Sequence, residues 1–371
     1  MQRELDKLCD YRRFCWNKGL EIWNDMYDAF LITGNKTERP SAYKVRDEMV
    51  EQKADWQFGL SSRCLQLAIS DLGKAWSSFL NKAMPDWGRP RFKSKRSSRQ
   101  GFKSDMARIQ NGKLRLEKPQ GCHRPWYAIR IKGARSLEGK LGVVSIYREC
   151  GQYWATLPFK RKCSIKPSAV TAKTAVDINC GHYDYTGGRV STLPKRLDQT
   201  YQQIKHYQRL LARKRNVNGK QAVKSKNYMK TRNKLQRAYQ KAAAIQHDIV
   251  QKFTAKLVRN YNTIVIEDLD VKHMQMSHVA SKGLHRAQFG YFRQVLTYKC
   301  EWYGRKLILA DRYYPSTQRC SKCGHVKTGD DKITLWGNKK HHTKHNEYIC
   351  YKCGAKMDRD HNAVMNLLAL A

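Results

Sequence analysis

Acid is what this sequence has least of for its size. Only 31 of its 371 residues are Asp or Glu, against 72 Lys or Arg, for a formal net charge of +41. A chain so short of carboxylates repels itself when compact and attracts polyanions. Nucleic acid is the polyanion expected, because each neutralised phosphate releases counterions. Long apolar runs are missing too. None reaches the ~18 residues of a transmembrane helix, so no membrane partner is expected. The opening stretch, MQRELDKLCDYRRFCW, is too charged for a secretory signal. Internal repeats and long low-complexity tracts are absent. What remains is 41% hydrophobic and 11% aromatic, which excludes a disordered polycation. The length allows two or three domains with cores of their own.

Of the twelve cysteines, eight stand singly (Cys9, Cys15, Cys64, Cys122, Cys150, Cys163, Cys180 and Cys300) and four are paired by spacing. That usage suits a reducing compartment, with thiols buried or metal-bound.

Texture changes along the chain. LDKLCDYRRFCWNKGLEIWNDMYDAFL and DWQFGLSSRCLQLAISDLGKAWSSFL repeat apolar residues at helical spacing, so residues 1–86 predict a helical lobe. WGRPRFKSKRSSRQGFK follows, punctuated by Gly and Pro. KLRLEK, YAIRIKG, VVSIYREC and QYWATLPF then read as short strands of a barrel or sheet over 87–165. KPSAV (166–170) reads as a linker. TAVDIN is a short buried strand, HYDYTGGRVSTL a hairpin with a Gly-Gly turn, and 195–260 a basic helical hairpin broken at NVNGK. NTIVIEDLDV and RKLILADRYYPST are two more strands, separated by the helix FGYFRQVLTYKCEWYG.

Near the end, Cys320, Cys323, Cys350 and Cys353 form C-x2-C-x26-C-x2-C, with Gly324 and Gly354 directly after each pair. Four thiolates suit one tetrahedral Zn²⁺, and a complete set leaves no position for water, so the zinc is expected to be structural. His341, His342 and His345 lie between the pairs as rival ligands.

Three acids stand at places where chemistry gathers. Asp177 ends one predicted strand, Glu267 ends another, and Asp360 opens a helix directly after the knuckle, with Asp358 as its cap. Asp268, Asp270 and Asp358 are near rivals. Carboxylates so grouped need cations to stay ionised together. Two Mg²⁺ ions are expected, as in two-metal displacement at phosphorus. The order Asp, Glu, Asp differs from the Asp, Asp, Glu order of a cut-and-paste transposase.

AVDINCGHYDYTGG, TIVIEDL, Y-x-P-S-T-Q-x-C-S-x-C-G and C-x-x-C-G-x-x-M-D-R-D-x-N-A resemble TnpB (OrfB), the transposon-encoded family related to the compact type V CRISPR effectors. PRFKSKRSSRQGF resembles a recurrent stretch of the same family. The resemblance spans nearly the whole chain and is strongest over 174–371. It implies a multi-domain α+β and α/β fold: a helical recognition lobe (1–86), a β-barrel wedge domain (87–165), an RNase H-fold, RuvC-like nuclease domain (166–318), an inserted zinc ribbon (319–356) and a last catalytic segment (357–371). It also implies an RNA-guided DNA endonuclease, cytoplasmic and nucleoid-associated, with a guide RNA and double-stranded target DNA beside a transposon-adjacent motif as partners. Asp177, Glu267 and Asp360 take the three catalytic positions. The sequence departs from the family in two places. Members usually open with a basic strand that completes the wedge barrel, and here the chain starts at a helix. Asn179 stands where Gly is common.

Phosphate contacts are expected from Arg89, Arg91, Lys93, Lys95, Arg96 and Arg99, base reading from Gln100, and stacking from Phe92 and Phe102. Lys205, Arg209, Arg213, Lys214 and Arg215 would line the guide–target duplex, whose shape rather than sequence the protein reads. Rival readings are a nuclease-silent guided repressor and an unguided zinc-ribbon DNA binder.

Overall fold

The computed structural model describes residues 2–371 except 84–86, 98, 118–127, 134–138, 161–169, 216–224, 271–273, 275–282, 284–286 and 335. Residues 166–169 of the expected linker and the NVNGK break lie outside them. The chain forms two units, Met1–Cys163 and Ser164–Ala371.

The first unit opens with α1 (Gln2–Thr33), which buries Leu5, Leu8, Cys15, Leu20 and Trp23 along one stripe. A 3-10 turn (Lys36–Glu38) leads to α2 (Ala42–Glu51), α3 (Asp55–Phe58) and α4 (Ser62–Leu80). Ser41 and Ser61 cap α2 and α4 by accepting from Lys44 N and Cys64 N, which satisfies amides the helices cannot. α1 and α4 meet closely at Gly19, where a Cβ would come within 2.3 Å of Ile69 Cδ1.

Strands β1 (Arg99–Ser104), β6 (Val144–Glu149) and β7 (Gln152–Thr156) form one antiparallel sheet, in the order β1-β6-β7. β2 (Arg108–Gln110), β3 (Lys113–Arg115) and β4 (Ala128–Arg130) form a second, and β5 (Lys140–Leu141) pairs with β8 (Phe159–Lys160). Asn111-Gly112 and Cys150-Gly151, all at positive φ, supply the two-residue turns of two hairpins. Phe102, Val144 and Ile146 share one core with the helices.

Two expectations are corrected here. Among the described residues no barrel closes: the strands divide into three small sheets, and β1 and β7 each keep an unpaired edge, whereas a barrel has none. Phe102 does not present a stacking surface. It lies on β1, where alternation turns it into the core.

The second unit is a five-stranded sheet of order β11-β10-β9-β12-β13. β9 (Lys173–Ile178), β12 (Thr263–Glu267) and β13 (Lys306–Ala310) run parallel, and β10 (His182–Tyr185) and β11 (Gly188–Ser191) return antiparallel beside β9. Helices α5 (Lys195–Arg215) and α6 (Lys226–Asn260) form the basic hairpin, and α6 packs against α7 (Phe289–Tyr303). The zinc-ribbon segment, with β14 (Glu347–Ile349) and β15 (Lys356–Asp358), runs straight into α8 (Arg359–Leu368).

Alternation along the strands sorts the two faces. Val176, Ile178, Ile264 and Ile266 face α6 and α7 in an aromatic-rich core with Phe253 and Phe292. Ala175 and Val265 face α8, packing on Val364 and Leu367. Asp177 and Glu267 lie two residues on from Ala175 and Val265, so both carboxylates point to the α8 face.

Candidate active site and metal centre

Parallel pairing aligns Ala175 with Val265 and Val176 with Ile266. One residue further on, Asp177 and Glu267 stand side by side at the strand ends. α8 brings the third acid. Asp358 caps the helix, its Oδ1 accepting from Asp360 N (3.0 Å) and His361 N (3.1 Å), and this places Asp360 in the first turn. Burial, followed by the charges of Glu267 and Asp360, pushes the Asp177 carboxyl up to about 8. Burial also raises Glu267, against a hydrogen bond donated by Ser316 Oγ. The charges of Glu267 and Asp360 thus oppose ionisation of Asp177.

A fourth carboxylate, absent from the sequence-based set, joins them. Asp184 on β10 lies directly across from Asp177. Cross-strand partners share a face, so acids of three adjacent strands form a row. Asn179 Nδ2 donates to both Asp177 (3.0 Å) and Asp184 (3.2 Å). Ligand atoms of His182, Asp184 and Asp360 lie within 4.8 Å of one another. Arg189 on β11 reaches Asp184 (2.7 Å) and Asp360 (3.0 Å), and Arg359 also reaches Asp360 (3.2 Å). The signal for Asp184 was in HYDY. Alternation with the buried Tyr183 and Tyr185 puts the acid on the opposite face, that of Asp177.

The donor set at the four cysteines fits zinc. A tetrahedron of thiolates at about 2.3 Å from the metal puts sulfurs ~3.8 Å apart. Here Cys320 and Cys353 Sγ are 3.8 Å apart, and Cys323 and Cys350 Sγ 3.6 Å. The two knuckles are alike: Gly324 N donates to Cys320 O and Gly354 N to Cys350 O, both at 2.9 Å. Both glycines have positive φ (74° and 69°), as the turn requires. Burial opposes ionisation of Cys350, but backbone N–H donors of Cys353 and Lys352 outweigh it and bring the thiol down to about 7. His341 is no rival ligand. It pairs with Asp331 (2.8 Å) and stacks on Tyr351.

The ribbon is fastened to α8 by two buried asparagines. Asn362 accepts from Ser321 N (2.9 Å) and donates to Arg319 O (2.7 Å). Asn366, one turn on, donates to Ser316 O (2.7 Å) and Arg319 O (2.6 Å). Two Asn at helical spacing in an apolar helix were the sequence sign of this clamp.

Comparison with known proteins agrees with this architecture. The family model described as "Cas12f1-like, TNB domain" matches residues 289–367, and the OrfB_IS605 model, "Probable transposase", matches 182–278. A Streptomyces pristinaespiralis protein named "Putative RNA-guided DNA endonuclease" is 30% identical over 315 residues, 84% of this chain and 71% of the relative. The chain belongs to the TnpB (OrfB) family. A mimivirus TnpB-like protein, L79, is 28% identical over 175 residues, 45% of this chain and 30% of the relative. The solved Cas12f1–sgRNA–target DNA complex contains a chain of the same fold. Its TM-score is 0.56 and its identity 14%, covering 97% of this chain and 81% of that one.

This TnpB chain spreads its expected nucleic-acid contacts unevenly. Trp16 Nε1 donates to Arg91 O, and Asn17 bonds Lys93 N and O, so the 91–93 backbone is fixed to α1. Phe92, Arg91 and Arg96 are exposed. Lys93 Nζ sits 3.4 Å over the Trp16 ring, and burial, then Arg12, brings it down to about 7. Arg89 bonds Asn24 (2.9 Å), Lys95 pairs with Asp10 (3.7 Å), and Arg99 lies over Tyr147. Gln100 donates to Ser94 O and Ser97 O and accepts from Arg13, so its amide is engaged within the protein. On α5, Lys205, Arg209 and Arg213 form an exposed row at four-residue spacing, Lys214 bonds Thr231 on α6, and Arg215 ends the helix.

Proposed function

We propose that this chain is an RNA-guided DNA endonuclease that hydrolyses phosphodiesters at a RuvC-like, two-Mg²⁺ site. The observation that carries the reading is the convergence of Asp177, Glu267 and Asp360, from two parallel strand ends and a helix start, on one face of the sheet. Asp177, Glu267 and Asp360 would hold the magnesium, with Asp184 beside them. Bound Mg²⁺ supplies an activated water and stabilises the leaving oxygen. The chain's own residues do the rest. Ser316 orients Glu267, Asn179 orients Asp177 and Asp184, and Asp358 fixes the helix end that carries Asp360. The basic row on α5 and the 89–99 loop would hold the nucleic acid by its phosphates, beside a transposon-adjacent motif on the target.

One observation favours a second reading, a nuclease-silent guided binder. Arg189 and Arg359 already give Asp360 cationic partners. Purifying the protein from cells that carry its flanking DNA, and sequencing the RNA that accompanies it, tests the guide. A discrete species is expected. Loaded on matching duplex DNA with Mg²⁺, the complex is expected to cut, and Asp177→Ala to bind without cutting. Binding without cutting by the unaltered chain would establish the silent reading. No discrete RNA would leave an unguided DNA binder.

A further inference from the structure

The helices of the first unit enclose a cleft of about 760 Å³ that the nuclease reading does not use. It lies between α1, α2 and α4, beside the 3-10 turn that joins the first two. Its floor is aromatic. Trp23 and Trp76 stack with ring centroids 5.7 Å apart, and Tyr27 leans on Trp76 at 5.0 Å. Gly73 lets α4 sit close to α2 there, since a Cβ would come within 3.1 Å of Ala42 Cβ. Tyr43, 72% exposed, stands at the mouth.

The rim is cationic. Lys36, Arg39, Arg46 and Lys74 line it, and no Asp or Glu does. Arg46 pairs with Asp47 and covers the Tyr43 ring at 5.2 Å. Lys36, Arg39 and Lys74 are exposed and, among the described residues, have no carboxylate partner. Lys44 Nζ donates to Thr37 O and Arg39 O, holding the turn that presents Lys36 and Arg39. Arg89, 5.3 Å over Trp76, adds charge beside the floor. The indole N–H groups of Trp23 and Trp76 are buried in this cleft's lining without an acceptor, which is uncommon in folded proteins.

A concavity rimmed by cations, three of them without a carboxylate partner among the described residues, focuses positive potential. Aromatic rings beneath it give an apolar platform, and the volume is that of a small-ligand site. Together these are the parts of a single-strand platform: a face for a base and charges for its phosphates. We propose that this cleft takes an unstacked nucleotide of a single-stranded nucleic-acid segment, its base against Tyr27 and Tyr43 and its phosphates at Arg39 and Lys74. The proposal rests on nucleic acid being the partner, and not on the chain cutting it.

The test uses the full chain carrying Asp177→Ala, so that no cutting enters. Short single-stranded ribo- and deoxyribo-oligonucleotides bearing 5-iodouracil are cross-linked by light, and labelled peptides are identified by mass spectrometry. Labelling of Tyr27 or Tyr43 is expected, and the arm that labels tells RNA from DNA. The double variant Arg39→Ala/Lys74→Ala is expected to weaken binding about tenfold. Its log–log salt slope should flatten by ~1.4, at ~0.7 per lost phosphate contact. Ser77→Glu, an exposed change on the rim, is expected to weaken binding without touching the core. Labels confined to other surfaces, or unchanged affinity and salt slope in both variants, would overturn the proposal. An unaltered chain that binds through the cleft but does not cut matched target DNA with Mg²⁺ would sink the nuclease reading alone.

Discussion

The two candidate metal centres in the second unit are built on opposite plans. The cysteine centre is local. Four ligands lie within one short segment, each pair in its own knuckle, with sulfurs already at tetrahedral separation. The acidic centre is distributed over β9, β10, β12 and α8, and the charges of its neighbours disfavour ionisation of Asp177. A local centre can be assembled by its ligand alone. A distributed one depends on everything that positions its parts, here the ribbon through Asp358, Asn362 and Asn366.

That dependence is open to attack, and the hardest blow is to remove zinc. Chelation, or Cys350→Ser, is expected to release one zinc per chain by elemental analysis and to lower the melting temperature substantially, since structural zinc binding is worth about 10–16 kcal/mol in small fingers. It should also abolish magnesium-dependent cutting, although no cysteine touches the acids. Retained cutting would show that α8 stands without the ribbon.

Asp177→Ala strikes the acidic centre directly. Cleavage is expected to fall about ten-thousandfold with target binding intact by gel shift, while zinc content stays unchanged.

The pH response separates the centres further. Folding raises the Asp177 carboxyl from 3.8 to about 8. Between those values the metal-free native state holds a proton that the unfolded chain has lost, so stability must fall as pH rises through the window. Melting curves without magnesium are expected to decline from pH ~5 to ~8, and Mg²⁺ to restore them at the upper end. Asp177→Asn should flatten the decline.

Asn362→Ala probes the link between the centres. It strands Ser321 N and leaves Arg319 O with Asn366 alone, a loss of about 2 kcal/mol measurable by denaturant unfolding. Mildest of all, Asp184→Asn is expected to weaken magnesium binding by about tenfold, as partners of metal ligands do, read by calorimetry on the Asp177-intact protein.

The same contrast explains what the sequence made legible. C-x2-C repeated with Gly after each pair is a complete local statement, and its geometry followed as expected. The positions of Asp177, Glu267 and Asp360 were legible because each lies near the end or start of an element, and the strand periodicity of TAVDIN and TIVIED carries its acid to the α8 face. Asp184 was only half legible: HYDY gives its face by alternation, but its place across from Asp177 depends on the register between β9 and β10, which is a tertiary fact. The open sheets of the first unit were obscured for a related reason: short strands with alternating residues look alike whether their edges close or not. Phe102 was misplaced because a basic loop and a basic edge strand share a composition, and only pairing with Ile146 reveals the inward face.

The order of the acids along the chain has one more consequence. Asp360 lies 183 residues after Asp177, and α8 must pack against β9 before the row of carboxylates is complete. During synthesis the first two acids therefore emerge long before the third, and the ribbon that seats the third must fold in between. On the proposed reading, a nascent chain that has not yet reached α8 lacks Asp360 and cannot yet form the metal site.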